Sequence, residues 1–214
     1  GYEFGEFKHR QFAGFNMAAG RSFSKAGYLY LSAGISSYFN HGITEQGYLS
    51  TKSTFISNLL YAGRWKIRNF VKAEYTRGFD RNSDERLYFS TSDGFSGFRN
   101  DSTMATQRVS LNLESVLFSP VDFYGFKAAF YIFGDAGYLF GTNEYISQGH
   151  IATSLGAGIR LRNDNLVFNT FQIRFAFYPN LPMYSQVNNI IFSGEQRLKP
   201  GTFDPGPPSI IPFR

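Results

Sequence analysis

Few residues in this chain have side chains suited to bond chemistry. Cysteine is absent, which removes thiolate nucleophiles, disulfides and cysteine-built metal sites. The three histidines, His9, His41 and His150, are scattered over loops or strand ends. A zinc or hydrolase centre needs such imidazoles to converge with carboxylates, and nothing in their spacing argues for that. What remains is acid and arginine. Glu114 and Asp135 fall on the polar faces of alternating segments, and Arg99 follows the run Gly94-Phe95-Ser96-Gly97-Phe98. A carboxylate meeting an arginine makes a bidentate docking pair and does no bond chemistry. The expectation is therefore a protein with no catalytic residue, no metal and no cofactor, and not an enzyme.

The elements that must position these residues are strands. Phe171, Ile173, Phe175 and Phe177 alternate with Thr170, Gln172, Arg174 and Ala176. Upstream, Leu155, Ala157, Ile159 and Leu161 alternate with Ser154, Gly156, Gly158 and Arg160. Asn163-Asp164-Asn165, which tolerates left-handed backbone, lies between them and predicts an antiparallel hairpin. The same period of two places Val109, Leu111 and Leu113 opposite Ser110, Asn112 and Glu114, and Trp65, Ile67, Val71, Ala73 and Tyr75 opposite Lys66, Arg68, Lys72, Glu74 and Thr76. Further strands fit 4–23, 28–39, 48–61, 124–140 and, less cleanly, 187–197. Residues 1–214 thus read as one all-β domain of about nine or ten strands. Short turns are expected near 24–27, 62–64 and 162–165, with longer connections at 40–47, 80–103 and 141–149.

Composition narrows the class. Of 214 residues, 25 are Phe, 14 Tyr and one Trp, yet hydrophobic residues reach only 43% and the mean hydropathy is -0.25. No window approaches the roughly 18 apolar residues of a membrane-spanning helix. The formal charge of +5 is spread along the strands with no cationic cluster, which argues against a nucleic-acid partner. The chain opens at Gly1 with neither an initiator Met nor a signal-peptide pattern, as a mature chain or a piece of a longer one would.

Alternation alone leaves open which face is inside. Aromatics near strand ends (Tyr28, Tyr38, Tyr61, Tyr75, Phe79, Tyr138, Phe177), long charged side chains beside Gly and Ser, and connections of alternating length all favour an antiparallel transmembrane barrel over a water-soluble one. The longest unpatterned stretch, 80–103, exceeds the usual loop length and carries the Gly-Phe-Ser-Gly-Phe-Arg run. In it Gly94 and Gly97 permit tight turns while Phe95 and Phe98 pack.

That run, followed by Thr106-Gln107-Arg108-Val109-Ser110-Leu111-Asn112-Leu113-Glu114 and then Phe133-Gly134-Asp135-Ala136-Gly137, resembles the C-terminal barrel of the bacterial surface antigen superfamily, which includes the outer-membrane assembly factors BamA and TamA, in its Bacteroidota-like form. The resemblance implies the C-terminal portion of a barrel of about 16 strands. Loop 80–103 would fold into its lumen. Phe95, Gly97, Phe98 and Arg99 would then form the loop motif, docked on Glu114, Phe133, Asp135 and Gly137. The implied role is assembly or translocation of outer-membrane or secreted polypeptides in the bacterial outer membrane. Lipid, client chains and periplasmic accessory proteins would be the partners. A passive outer-membrane pore or structural barrel is the alternative. The Pro-rich stretch 200–212 suggests weak pairing between first and last strands.

Overall fold

A computed structural model describes residues 2–4, 9–81, 87–89, 98–141, 149–163, 170–182 and 185–193. The strands are β1 (Tyr2–Phe4), β2 (His9–Phe23), β3 (Gly27–Asn40), β4 (Ile43–Ser57), β5 (Leu60–Ala62), β6 (Trp65–Phe79), β7 (Leu87–Phe89), β8 (Phe98–Ala105), β9 (Gln107–Phe123), β10 (Phe126–Phe140), β11 (His150–Asn163), β12 (Thr170–Asn180), β13 (Gln186–Val187) and β14 (Ile190–Ser193). One antiparallel sheet runs β1-β2-β3-β4-β6-β9-β10-β11-β12-β14, with β5 also paired to β6. A small second sheet, β13-β8-β7, packs by β7 and β8 against β9 and β10.

The all-β antiparallel architecture is as the period of two requires, but the transmembrane barrel is corrected. Closure needs the first and last strands to pair with a fixed stagger. Here β1 and β14 lie at opposite ends of the sheet order, unpaired with each other among the described residues. The structure is an open sheet, so its reading as the C-terminal portion of a 16-stranded barrel falls with closure. Among the described residues, no helix is long and apolar enough to cross a membrane.

Local chemistry sets the strand boundaries. The connection expected over 40–47 is a two-residue turn, His41-Gly42, with φ of 50° and 83°. Two left-handed residues match the twist of the flanking strands and so permit the tightest hairpin. Tyr124-Gly125, with φ of 50° and 78°, does the same between β9 and β10. The β3–β4 register shifts between Ser36 and Tyr38, opposite Gln46 at φ 51°. This bulge is tied to the end of β6: Gln46 N–H donates to Asp80 O at 2.8 Å, and Arg81 donates to the carbonyls of Gln46 and Gly47.

The two faces of the sheet differ sharply. Along β10, Ala129, Tyr131, Phe133, Asp135, Gly137 and Leu139 are buried, whereas Phe130 and Ile132 are exposed. Neighbouring strands follow the same parity, leaving Val109, Leu111, Leu113, Leu155, Ile159, Phe171, Phe175 and Phe177 on the outside. For a single sheet to shield side chains as far apart as Glu74 and Arg174, it must curl around that face, in the direction strand twist favours. Two apolar clusters line the inner face. Phe70, Val116, Ala129, Tyr131, Phe133 and Ala176 form one, and Leu87, Phe89, Ala105, Leu139 and Ala152 form the other.

Candidate functional site

Register builds the inner face row by row. Asp135 is the direct cross-strand partner of Asn112 on β9 and Ser154 on β11. Asn112 Nδ2 donates to Asp135 Oδ1 at 2.8 Å, and Ser154 Oγ donates to Oδ2 at 2.5 Å. A carboxylate that is 5% exposed is thereby held from both sides, which offsets much of the cost of burying its charge.

Two residues earlier on β10, Phe133 stands opposite Glu114 and Gly156. Glu114 Oε1 lies 3.3 Å from Arg160 Nη2, an ion pair closed off from water on both sides. Arg160 Nε donates to Gln172 Oε1 at 3.3 Å, and Gln172 Nε2 donates to Ser193 Oγ at 2.5 Å, so one polar chain crosses from β9 to β14. The guanidinium carbon of Arg160 sits 4.6 Å from the Tyr131 ring centre, and that of Arg174 sits 5.0 Å from the Phe133 ring centre. Burial lowers the Arg174 pKa, against the pull of Tyr131, Tyr178 and Glu114. Burial raises that of Tyr178, against the pull of Arg174.

A third group lies on the same face. Glu74 is 3.0 Å from Lys72 Nζ and 3.4 Å from Lys52 Nζ, and Lys52 is its direct partner across β4 and β6. Burial pushes its carboxyl up, but Lys52, Lys72 and Arg108 together hold it below the ordinary value. Arg108 also donates to the Tyr88 carbonyl at 2.9 Å, which pins β7 to β9.

The expected docking partners Glu114, Phe133, Asp135 and Gly137 thus share one buried face. Of the loop motif, Phe95 and Gly97 lie outside the described residues. Phe98 and Arg99 belong to β8, where their backbones pair with Val187 and Gln186. The described partners of Asp135 are Asn112 and Ser154. The histidines stand apart: His9 opposite Phe4, His41 in the β3–β4 turn 2.7 Å from Asn40 Oδ1, and His150 at the start of β11. Among the described residues no three His, Asp or Glu gather as metal ligands would. Sequence reasoning missed how Glu74 and Arg108, Asn112 and Ser154, and Arg160, Gln172 and Arg174 gather into separate polar groups on this face. Parity along each strand was visible; the register that sets these residues side by side was not.

The chain matches no protein family, no curated protein and no solved structure. The surface-antigen resemblance, with its likeness to BamA and TamA, is corrected accordingly. Its motif residues are short Gly, Phe and acid patterns that an open antiparallel sheet also accommodates. The assembly or translocation role, the pore or structural-barrel alternative, the lipid, client and periplasmic partners and the outer-membrane location all rested on that likeness and on closure. They are corrected with it.

Proposed function

We propose that this chain acts by contact rather than by catalysis, its outer face serving as an interface covered by an apolar surface of another polypeptide. One observation carries the reading, the inversion of the sheet's faces. Glu114 is 2% exposed while Ile132 is 64% and Phe177 65% exposed. Monomeric soluble proteins rarely leave apolar patches of more than a few hundred Å² uncovered. Here such residues continue from Phe15 and Met17 on β2 to Phe175 and Phe177 on β12.

The face also has relief. A recess of about 600 Å³ lies where Ala19, Ala33, Ser53 and Ala73 are small between Met17, Leu31, Tyr75 and Val109, a shape that receives protruding side chains. The acids of the inner face are engaged in holding strands together: Asp135 by Asn112 and Ser154, Glu114 by Arg160, and Glu74 by two lysines. That supports a scaffold role for them over an acid–base one.

Sedimentation velocity tests the reading. The chain in plain buffer should self-associate, and a non-ionic detergent or a partner that covers the face should restore a single small species. Ile132→Lys with Phe175→Lys should reduce association while leaving the β-sheet circular dichroism unchanged. A wild-type chain that stays a dispersed monomer without cover, and behaves like the variant, would overturn the proposal.

A further inference from the structure

One edge of the main sheet is long and open. β1 pairs only with His9, Arg10 and Gln11 of β2, so residues 13–23 have β3 as their single strand neighbour among the described residues. Every residue of that stretch is exposed. We propose that it pairs with the same stretch of a second copy of this chain, antiparallel about a two-fold axis, so that two open sheets join into one. The single chain leaves the edge open, and the dimer closes it. The inference rests on the strand edge and stands apart from the outer-face reading above.

An edge strand presents a row of N–H and C=O groups whose ready partner is another strand, unless proline or charge discourages the approach. Residues 13–23 contain no proline and one charge, Arg21. The opposite edge of the sheet is a poor match in length, since β14 offers only the four residues Ile190–Ser193. Self-pairing matches in full. Complete overlap of 13–23 with itself fixes the register: Ala18 lies on the axis opposite the partner's Ala18, and Ala13 lies opposite the partner's Phe23. Direct partners share a face of the sheet, so the outer rows of the two copies become continuous. Arg21 then stands opposite the partner's Phe15, a cation beside an aromatic ring, and no like charges meet. Met17 stands opposite the partner's Ala19, a large residue against a small one. A two-fold contact of this kind is self-complementary and stops at two copies, whereas head-to-tail pairing would run on as a fibre.

The absence of native cysteine makes this register testable by crosslinking in the full chain. The measurement is made in a non-ionic detergent, which covers the outer face and leaves strand edges free to pair. Ala18→Cys should form an intermolecular disulfide under mild oxidation, since direct cross-strand partners lie about 4.5–5.5 Å apart at Cα, within disulfide reach. Ala13→Cys and Phe23→Cys should each fail alone, their symmetry mates lying roughly 30 Å apart, and should crosslink when mixed. In sedimentation, Ala18→Lys and Ala18→Glu should each weaken the dimer about tenfold or more with circular dichroism unchanged, and an equimolar mixture of the two should restore it. A wild-type chain that is monomeric in detergent at high micromolar concentration, or an Ala18→Cys chain that does not crosslink, would overturn the proposal and leave the outer-face reading standing. So would Ala13→Cys alone crosslinking as readily as Ala18→Cys. A dimer that survives Ala18→Lys but is lost in Ile132→Lys with Phe175→Lys would also overturn it, by placing association on the outer face.

Discussion

Glu74 shows most directly how this chain tolerates charge away from water. Desolvation alone would favour its neutral form, but Lys52 at 3.4 Å, Lys72 at 3.0 Å and the field of Arg108 reverse the balance and lower its pKa. A carboxylate whose folded pKa lies below its unfolded one adds stability above the unfolded value. That stability is lost as pH falls through the folded value. The thermal midpoint of the wild-type chain should therefore fall on acidification below the ordinary carboxylate value of 4.5, and Glu74→Gln should flatten that part of the curve. Parallel curves for the two proteins would show that Glu74 is not the group responsible. Asp135 accepts from neutral donors on two strands, Asn112 and Ser154, and so ties β9, β10 and β11 together. Its place on one face with Tyr131 and Phe133 was legible in the sequence from their shared parity, though not which way that face points. Its partners were not, because they depend on pairings between strands about 20 residues apart.

At the scale of elements, the β10–β11 hairpin depends on matching large residues with absent ones. Tyr131 stands opposite Gly158 and Phe133 opposite Gly156, so each ring lies over a position without a side chain. A Cβ at Gly158 would come within 2.5 Å of the Tyr131 ring and 2.6 Å of the Ile173 carbonyl oxygen. The ring can turn, but the carbonyl belongs to the β12 backbone and moves only with the strand. Gly158→Ala should therefore destabilise the protein by about 1–3 kcal/mol, the usual cost of overpacking, as read by urea denaturation. A loss under about 0.5 kcal/mol would mean that β11 and β12 adjust freely there. The hairpin itself was readable from alternation, since Phe171 to Phe177 and Leu155 to Leu161 keep a strict period. The glycines' role was not, because it arises from the facing strand. The tight turn at His41-Gly42 was hidden for a related reason: a histidine in left-handed backbone is uncommon, and the polar residues around it look like a longer loop.

For the whole molecule, the sheet's openness decides what the sequence could and could not tell. Every strand feature that implies inside and outside is local, whereas closure depends on two strands at opposite ends of the chain. The alternation from β2 to β12 is therefore legible residue by residue, while the fate of the edges is not. At one end, β1 covers only positions 9–11 of β2, so residues 13–23 have a strand neighbour on the β3 side alone among the described residues. That stretch holds no proline and a single cation, Arg21, few of the devices that protect an exposed edge. Strands β9, β10 and β11 are paired on both sides. Amide hydrogen exchange should reflect this gradient, since an edge opens locally at a smaller free-energy cost than the interior of a sheet. In the isolated chain, β9–β11 amides should exchange only through global unfolding, and those of 13–23 not bonded to β3 should exchange orders of magnitude faster. Equal protection at the two places would mean that something covers the β2 edge. The open sheet would then be incomplete as a description of the folded protein, and the search for its partner would begin at that strand rather than at the apolar face.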